Sequence, residues 1–175
     1  MRSLIIILCL LISASSLKAQ DKIDLNKIRE ELFYTEFDLE KCYSFYNKLV
    51  VLKQLNPTVT AYEASAKALV AKHSWNPITK ITSIKESMNL LNKAVDLDKM
   101  NLEIRFLRLY IQNSLPDYLG MKDNMEEDKK LIIGNLDWLD HSGLNADIIK
   151  YIVGYLSSSI VCTSDEQKVL QARLL

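Results

Sequence analysis

The apolar residues of this chain recur at helical spacing along most of its length. Within residues 83–97, for example, Ile84, Met88, Leu91 and Val95 repeat every three or four positions, so they share one face of a helix. No stretch alternates apolar and polar residues between hairpin turn signals, and the pattern therefore disfavours a β domain. The sequence predicts an all-α fold of seven or eight helices, arranged as an antiparallel bundle or a short superhelix.

The predicted helices cover about residues 25–34, 39–55, 61–73, 83–97, 102–114, 123–139, 146–161 and 165–174. Capping-box patterns, in which Ser or Thr stands three positions before Glu or Gln, set the starts of the third, fourth and eighth helices: Thr60 with Glu63, Ser83 with Glu86, and Ser164 with Gln167. The segment from Ser74 to Thr82 is then a connection outside the helices. The helix over 102–114 is apolar on most of its circumference, so we expect it to lie centrally.

The N-terminus has the three-part layout of a secretory signal peptide. Arg2 supplies a positive start, residues 4–12 form an apolar run, and a small, polar segment precedes Ala19. A run of nine residues is too short to cross a bilayer as a helix, which needs roughly 20. We expect cleavage after Ala19, with Ser16 as the competing site. Residues 1–19 are then the signal peptide, and residues 20–175 form one helical domain in the periplasm or outside the cell.

Removal of the signal leaves 20 basic and 22 acidic residues, a net charge near −2. This balance does not favour nucleic acid as a partner, and no run of lysine or arginine indicates an anionic membrane surface. Cys42 and Cys162 remain in the mature chain. They could form a disulfide in an oxidising compartment, or both could be buried free thiols.

One segment carries a family resemblance. Residues 93–101, with the sequence KAVDLDKMN, and the following LEIR resemble the end of the second helix of a tetratricopeptide repeat, its turn and the start of the next helix. Ala94 is the small residue that lets neighbouring helices approach closely in that family, and Lys99 stands where the turn usually has proline. The signal peptide and helical pattern together are similar to small exported proteins of Bacteroidetes-type bacteria. The resemblance implies a short superhelix whose concave face receives a protein segment.

A polar stripe follows the predicted helix over 102–114. Its members are spaced four, three and four residues apart and so share one face: Asn101, Arg105, Arg108 and Gln112. In tetratricopeptide-like proteins such a face can clamp a peptide carboxylate, which paired guanidinium groups suit geometrically. Alternatively, the two arginines pair with acids of adjacent helices, either Asp96 or the cluster at residues 126–128, and hold the packing together.

Evidence for catalysis is weak. Asp137 and His141 lie one helical turn apart and could share a metal ion, but protein metal sites usually need three or more ligands. They could equally form the last turn of a helix, with His141 near the negative end of its dipole. The chain has no Gly-x-Ser-x-Gly motif and no phosphate-binding glycine loop. We therefore expect no catalytic residue and no cofactor.

The leading hypothesis is a non-enzymatic, exported protein-interaction module, an adaptor or scaffold, in which Arg105 and Arg108 bind a carboxylate of the partner. One alternative is a hydrolase, metal-dependent or acid/base, that uses Asp137, His141 and other acids. The second alternative is a carrier of a small apolar ligand, with a pocket formed by the aromatic residues of the first two helices: Tyr34, Phe37, Tyr43, Phe45 and Tyr46. The oligomeric state is left open.

Overall fold

The computed structural model describes residues 23–35, 37–52 and 56–175, and the predicted signal peptide lies outside these ranges. The described residues contain no β-strand, which confirms the all-α prediction. They form eight α-helices: α1 (Leu25–Thr35), α2 (Leu39–Val51), α3 (Pro57–His73), α4 (Pro77–Leu97), α5 (Leu102–Ser114), α6 (Met125–Gly134), α7 (Ala146–Ser159) and α8 (Ser164–Leu174). Two short 3-10 helices, Asp117–Leu119 and Leu136–His141, precede and follow α6.

Helices α3 and α4 begin earlier than predicted, because each starts with an Asn-Pro pair. The side chain of Asn56 accepts hydrogen bonds from the first turn of α3, and Asn76 does the same for α4. Asparagine is a favoured N-cap, and proline fits the first helical position, where no hydrogen bond from its nitrogen is needed. The predicted starts after Thr60 and at Ser83 are therefore wrong. Ser83 is buried within α4, and the connection between the helices is only residues 74–76.

The predicted helix over residues 123–139 is also wrong, because it is interrupted. Helix α6 ends at Gly134, and its C-cap residue, Asn135, has a φ of −134° that breaks the helical geometry. The Asn135 side chain donates a hydrogen bond to the carbonyl of Leu131 at 2.7 Å, which satisfies one of the free carbonyls of the last turn. The chain then continues as the 3-10 helix Leu136–His141.

The last helix, α8, has a capping box one position earlier than the sequence pattern indicated. Thr163, rather than Ser164, is the N-cap. Glu166 completes the box: its carboxylate accepts a hydrogen bond from the Thr163 backbone N–H at 2.7 Å. Both pairs satisfy the sequence rule, and the extended backbone of Thr163 decides which pair forms the cap.

Helix α5 lies between two hydrophobic cores and contributes to both. Ile104, Leu107 and Ile111 pack into a core formed with α1 to α4. Leu102, Phe106 and Leu109 pack into a second core formed with α6, α7 and α8. The helix is thus buried on nearly all sides, as its apolar circumference predicts.

Helices α3 and α4 are joined by only three residues and pack against each other as an antiparallel pair. Contacts fix the register: the Ser87 hydroxyl donates to the Ala64 carbonyl at 2.7 Å, and the Lys67 ammonium lies 2.5 Å from the Glu86 carboxylate. None of the helices in the described ranges is both long enough and apolar enough to span a membrane.

Candidate functional site

The polar stripe of α5 faces α6 and the turns around it rather than an open groove. Asn101 caps α5, its side chain accepting a hydrogen bond from the backbone N–H of Ile104 at 3.1 Å. Its amide also donates to Asp98 and Thr58, at 3.0 Å and 3.3 Å. At the far end of the stripe, the Gln112 amide donates to the carbonyl of Met121 at 2.8 Å. Both ends of the stripe therefore hold local backbone in place.

Arg105 and Arg108 are both 4% exposed and bind the fully buried Asp128 of α6. Arg108 donates to Asp128 through two nitrogens, at 2.7 Å and 2.8 Å, and Arg105 donates to it at 2.8 Å. Asp128 belongs to the acidic cluster that the sequence offered as the internal partner of the arginines.

Further donors of the two arginines are also occupied. Arg105 donates to the carbonyl of Lys99 at 2.9 Å and to Glu127 at 2.6 Å, and Arg108 donates to Asn92 at 3.0 Å. The Arg105 guanidinium holds the pKa of the Glu127 carboxyl below its usual value. A peptide carboxylate would have to compete with Asp128 and Glu127 for these guanidinium groups. Carboxylate binding by the stripe stays a prediction, and the described contacts give the arginines a packing role.

A second buried ionic group was not found from the sequence. Arg29 of α1 donates to the Glu103 carboxylate through two nitrogens at 2.7 Å and 2.8 Å, and the Tyr62 hydroxyl donates to the same carboxylate at 2.7 Å. Burial, more than any other cause, raises the pKa of Tyr62. Arg29 also donates to the carbonyl of Gly143 at 3.0 Å. Gly143 has a left-handed φ of 74°, a backbone conformation that favours glycine. This group fixes α1 to α3, α5 and the loop before α7.

Asp137 and His141 both lie exposed on the 3-10 helix Leu136–His141, which is not the α-helical turn that the sequence suggested. Among residues 23–35, 37–52 and 56–175, no group of three or more His, Cys, Asp or Glu side chains is placed to hold a metal ion. Metal binding by this pair would thus need ligands from elsewhere.

Neither Cys42 nor Cys162 forms a disulfide in the structure. Cys42 is completely buried in α2, and its thiol donates to the carbonyl of Thr35 at 3.1 Å. Cys162 lies half-buried after α7, beside the second core. Burial, as the largest cause, raises the pKa of the Cys162 thiol, which favours its protonated form.

The aromatic residues of α1 and α2 divide between core and surface. Phe45 is buried in the first core, and the Lys67 ammonium lies over the Tyr46 ring, 4.9 Å from its centroid. Tyr34, Phe37 and Tyr43 are exposed to solvent, with exposures of 72%, 81% and 45%.

An open cleft of about 490 Å³ separates α1 from α2. We call it the α1–α2 cleft, and its lining residues are Lys27, Glu30, Glu31, Tyr34, Thr35, Lys41, Ser44 and Lys48. An ion pair between Lys48 and Glu31 joins its two walls. Each wall is anchored from behind: α1 by Ile28 and Arg29, and α2 by Phe45 and Leu49. The cleft is therefore preformed, polar and accessible.

This cleft is not predictable from the sequence, because its lysines and glutamates resemble an ordinary solvated face. They line a concavity only because α1 and α2 lie side by side. Of the aromatic residues that the sequence offered for an apolar pocket, Tyr34 lines this cleft.

Comparison of the chain with protein-family models, with curated proteins and with solved structures gives no match. The tetratricopeptide resemblance therefore stays a prediction. The α3–α4 pair is a helical hairpin joined by three residues, but from Pro57 to Leu97 it spans 41 residues, compared with about 34 for a tetratricopeptide repeat.

Proposed function

We propose that the protein is an exported, non-enzymatic interaction module that binds a segment of another protein in the α1–α2 cleft. The observation that carries this proposal is the cleft itself: an open, preformed concavity that mixes lysines, glutamates and one exposed tyrosine. Its size is within the range of ligand sites, roughly 300–1,000 Å³. Five of its eight lining residues are charged, however, whereas small-molecule pockets are lined mostly by hydrophobic and aromatic side chains.

The lining chemistry suits a polypeptide. Tyr34 offers a flat apolar ring with a hydroxyl at its edge, a combination that is enriched at protein interfaces. Lys41 and Lys27 can attract acidic side chains of a partner, and Glu30 can attract basic ones. Because Ile28, Arg29 and Phe45 already fix both walls, little conformational entropy is lost on binding.

The two alternative functions have less support. The hydrolase would rest on Asp137 and His141, which lie exposed on a 3-10 helix without a third metal ligand among the described residues. The carrier would rest on an aromatic pocket, but Phe45 is in the core and Tyr34 and Phe37 face solvent.

A comparison of two surface variants tests the proposal. The cleft variant is Tyr34→Ala/Lys41→Glu, and the matched control is Tyr118→Ala/Lys150→Glu, which makes the same chemical changes at exposed positions on the Asp117–Leu119 helix and on α7. Each is used with the wild type to capture proteins from the exported fraction, followed by quantitative mass spectrometry. We expect a defined protein to be captured by the wild type and the control and lost from the cleft variant. Equal capture by all three would contradict the proposal.

Arg105 and Arg108 are unsuitable for this comparison. Removal of either would leave Asp128 buried with fewer partners, so a loss of capture could reflect unfolding rather than loss of a binding surface.

A further inference from the structure

The turn between α3 and α4 carries three exposed apolar side chains. Trp75 is 98% exposed, Ile78 is 76% exposed and Ile81 is 42% exposed. Trp75 stands in the three-residue turn, and Ile78 and Ile81 follow on one face of the first turn and a half of α4. A fully exposed tryptophan beside two exposed isoleucines is unusual for a solvated turn, so this projection, which we call the α3–α4 tip, indicates a binding surface.

The same segment is consistently basic. Residues 64–85 contain lysines at positions 67, 72, 80 and 85 and no aspartate or glutamate. Lys80 and Lys85 are exposed on α4 close behind the isoleucines. Lys67 is paired with Glu86, and the exposed lysines that the hairpin places near the apolar tip are Lys72, Lys80 and Lys85. The surface therefore combines exposed apolar side chains with exposed lysines close to them.

The shape of the tip favours a fluid, planar partner over a protein pocket. Trp75 stands at the end of a helical hairpin and is 98% exposed, so the described residues form no wall beside it that would belong to a rigid interface. A bilayer surface surrounds an inserted side chain from all sides. Tryptophan is enriched at that boundary, and lysines extend their ammonium groups back to the lipid phosphates.

We propose that the α3–α4 tip docks on a membrane surface rich in anionic lipid headgroups. Trp75 and Ile78 enter the headgroup layer, and Lys80 and Lys85 lie against the phosphates. This docking is peripheral and reversible, since it uses two or three apolar side chains rather than a spanning helix. It is independent of the proposed cleft function, because the tip and the α1–α2 cleft share no residue.

The chain has two tryptophans, which allows a position-specific measurement. The variant Trp138→Phe leaves Trp75 as the only tryptophan, and Trp75→Phe leaves Trp138, which is 50% exposed on the 3-10 helix Leu136–His141. Each full-length variant is mixed with vesicles of phosphatidylcholine alone or of phosphatidylcholine with phosphatidylglycerol. Fluorescence is then recorded with and without brominated lipid as a quencher. Because the readout is local, an interaction of the N-terminal apolar run with the vesicles is not mistaken for docking of the tip.

We expect the emission of Trp75 to shift to shorter wavelength and to be quenched on the anionic vesicles, with no such change for Trp138. In the background that retains Trp75, Lys80→Glu/Lys85→Glu should weaken binding about 25-fold or more, since each lysine near an anionic surface contributes about fivefold. Lys130→Glu/Lys150→Glu, at exposed positions on α6 and α7, makes the same charge change and is the matched control; it should leave binding nearly unchanged.

Three outcomes would overturn the proposal: an unchanged Trp75 spectrum on anionic vesicles, equal changes at both tryptophans, or equal binding to neutral and anionic vesicles. Protection of Trp75 by a purified protein partner but not by lipid would also overturn it and would assign the tip to a protein interface.

Discussion

Substitution of Asp128 by asparagine should destabilise the protein strongly. Asp128 is fully buried and accepts three charge-assisted hydrogen bonds of 2.7–2.8 Å from Arg105 and Arg108. Asparagine has the same shape but no charge, so the buried Arg108 guanidinium loses the carboxylate that it binds, and Arg105 keeps only Glu127. Removal of one partner from a buried ion pair costs about 3–5 kcal/mol. For a chain of this length, that corresponds to a fall in Tm of roughly 6–20 °C, at about 2–4 °C per kcal/mol.

The assay is urea unfolding followed by circular dichroism, comparing the wild type, Asp128→Asn and Glu127→Gln. Glu127 binds the same Arg105, but its side chain is 59% exposed, so its loss should cost less than about 1 kcal/mol. The urea concentration at the midpoint of unfolding should therefore fall strongly for Asp128→Asn and little for Glu127→Gln. The dependence of the free energy of unfolding on urea concentration should be similar for all three proteins. If Asp128→Asn lowers the free energy of unfolding no more than Glu127→Gln does, the arginines do not depend on Asp128, and their interpretation as packing residues is refuted.

Further predictions concern hydrogen bonds elsewhere in the fold. Tyr62→Phe removes one of the bonds to the buried Glu103 carboxylate and should lower the free energy of unfolding by about 1.5–3 kcal/mol in urea titrations. Asn76→Ala removes the cap of α4 and should cost about 1 kcal/mol in the same assay. The Thr163 backbone N–H, as the largest cause, holds the pKa of Glu166 below its usual value. The resulting stability is present above that value and is lost as the pH falls below it. In thermal melts at decreasing pH, Glu166→Gln should therefore lose less stability than the wild type.

The sequence predicts the helices of this protein better than their ends. Helix α5 has the predicted bounds, because Asn101 caps it and its apolar residues leave little ambiguity. The starts of α3 and α4 were missed because Thr60 and Ser83 also satisfy a capping rule, although the Asn-Pro pairs earlier in the chain are the stronger signal. Local rules of this kind compete, and the choice depends on which residues the tertiary structure buries.

The candidate sites were harder to predict for a different reason. Helical spacing places Arg105 and Arg108 on one face, but it does not say whether a groove or another helix covers that face. Asp128 of α6 covers this face, and Asp128 is 20 residues from Arg108 in the sequence. The Arg29–Glu103 pair spans 74 residues, so no local pattern could have revealed it. The α1–α2 cleft likewise depends on the relative placement of two helices, which hydrophobic periodicity does not encode.

The most direct test of the proposed binding role is site-specific photo-crosslinking in intact cells that express the protein. A photoreactive phenylalanine analogue replaces Tyr34, which lines the α1–α2 cleft, or Tyr118, which is 84% exposed on the Asp117–Leu119 helix. We expect a discrete cross-link to another protein from position 34, none of the same mass from position 118, and loss of the cross-link when Lys41→Glu is added. The absence of a discrete product at position 34, or the same product at both positions, would contradict the assignment of the cleft as a binding site.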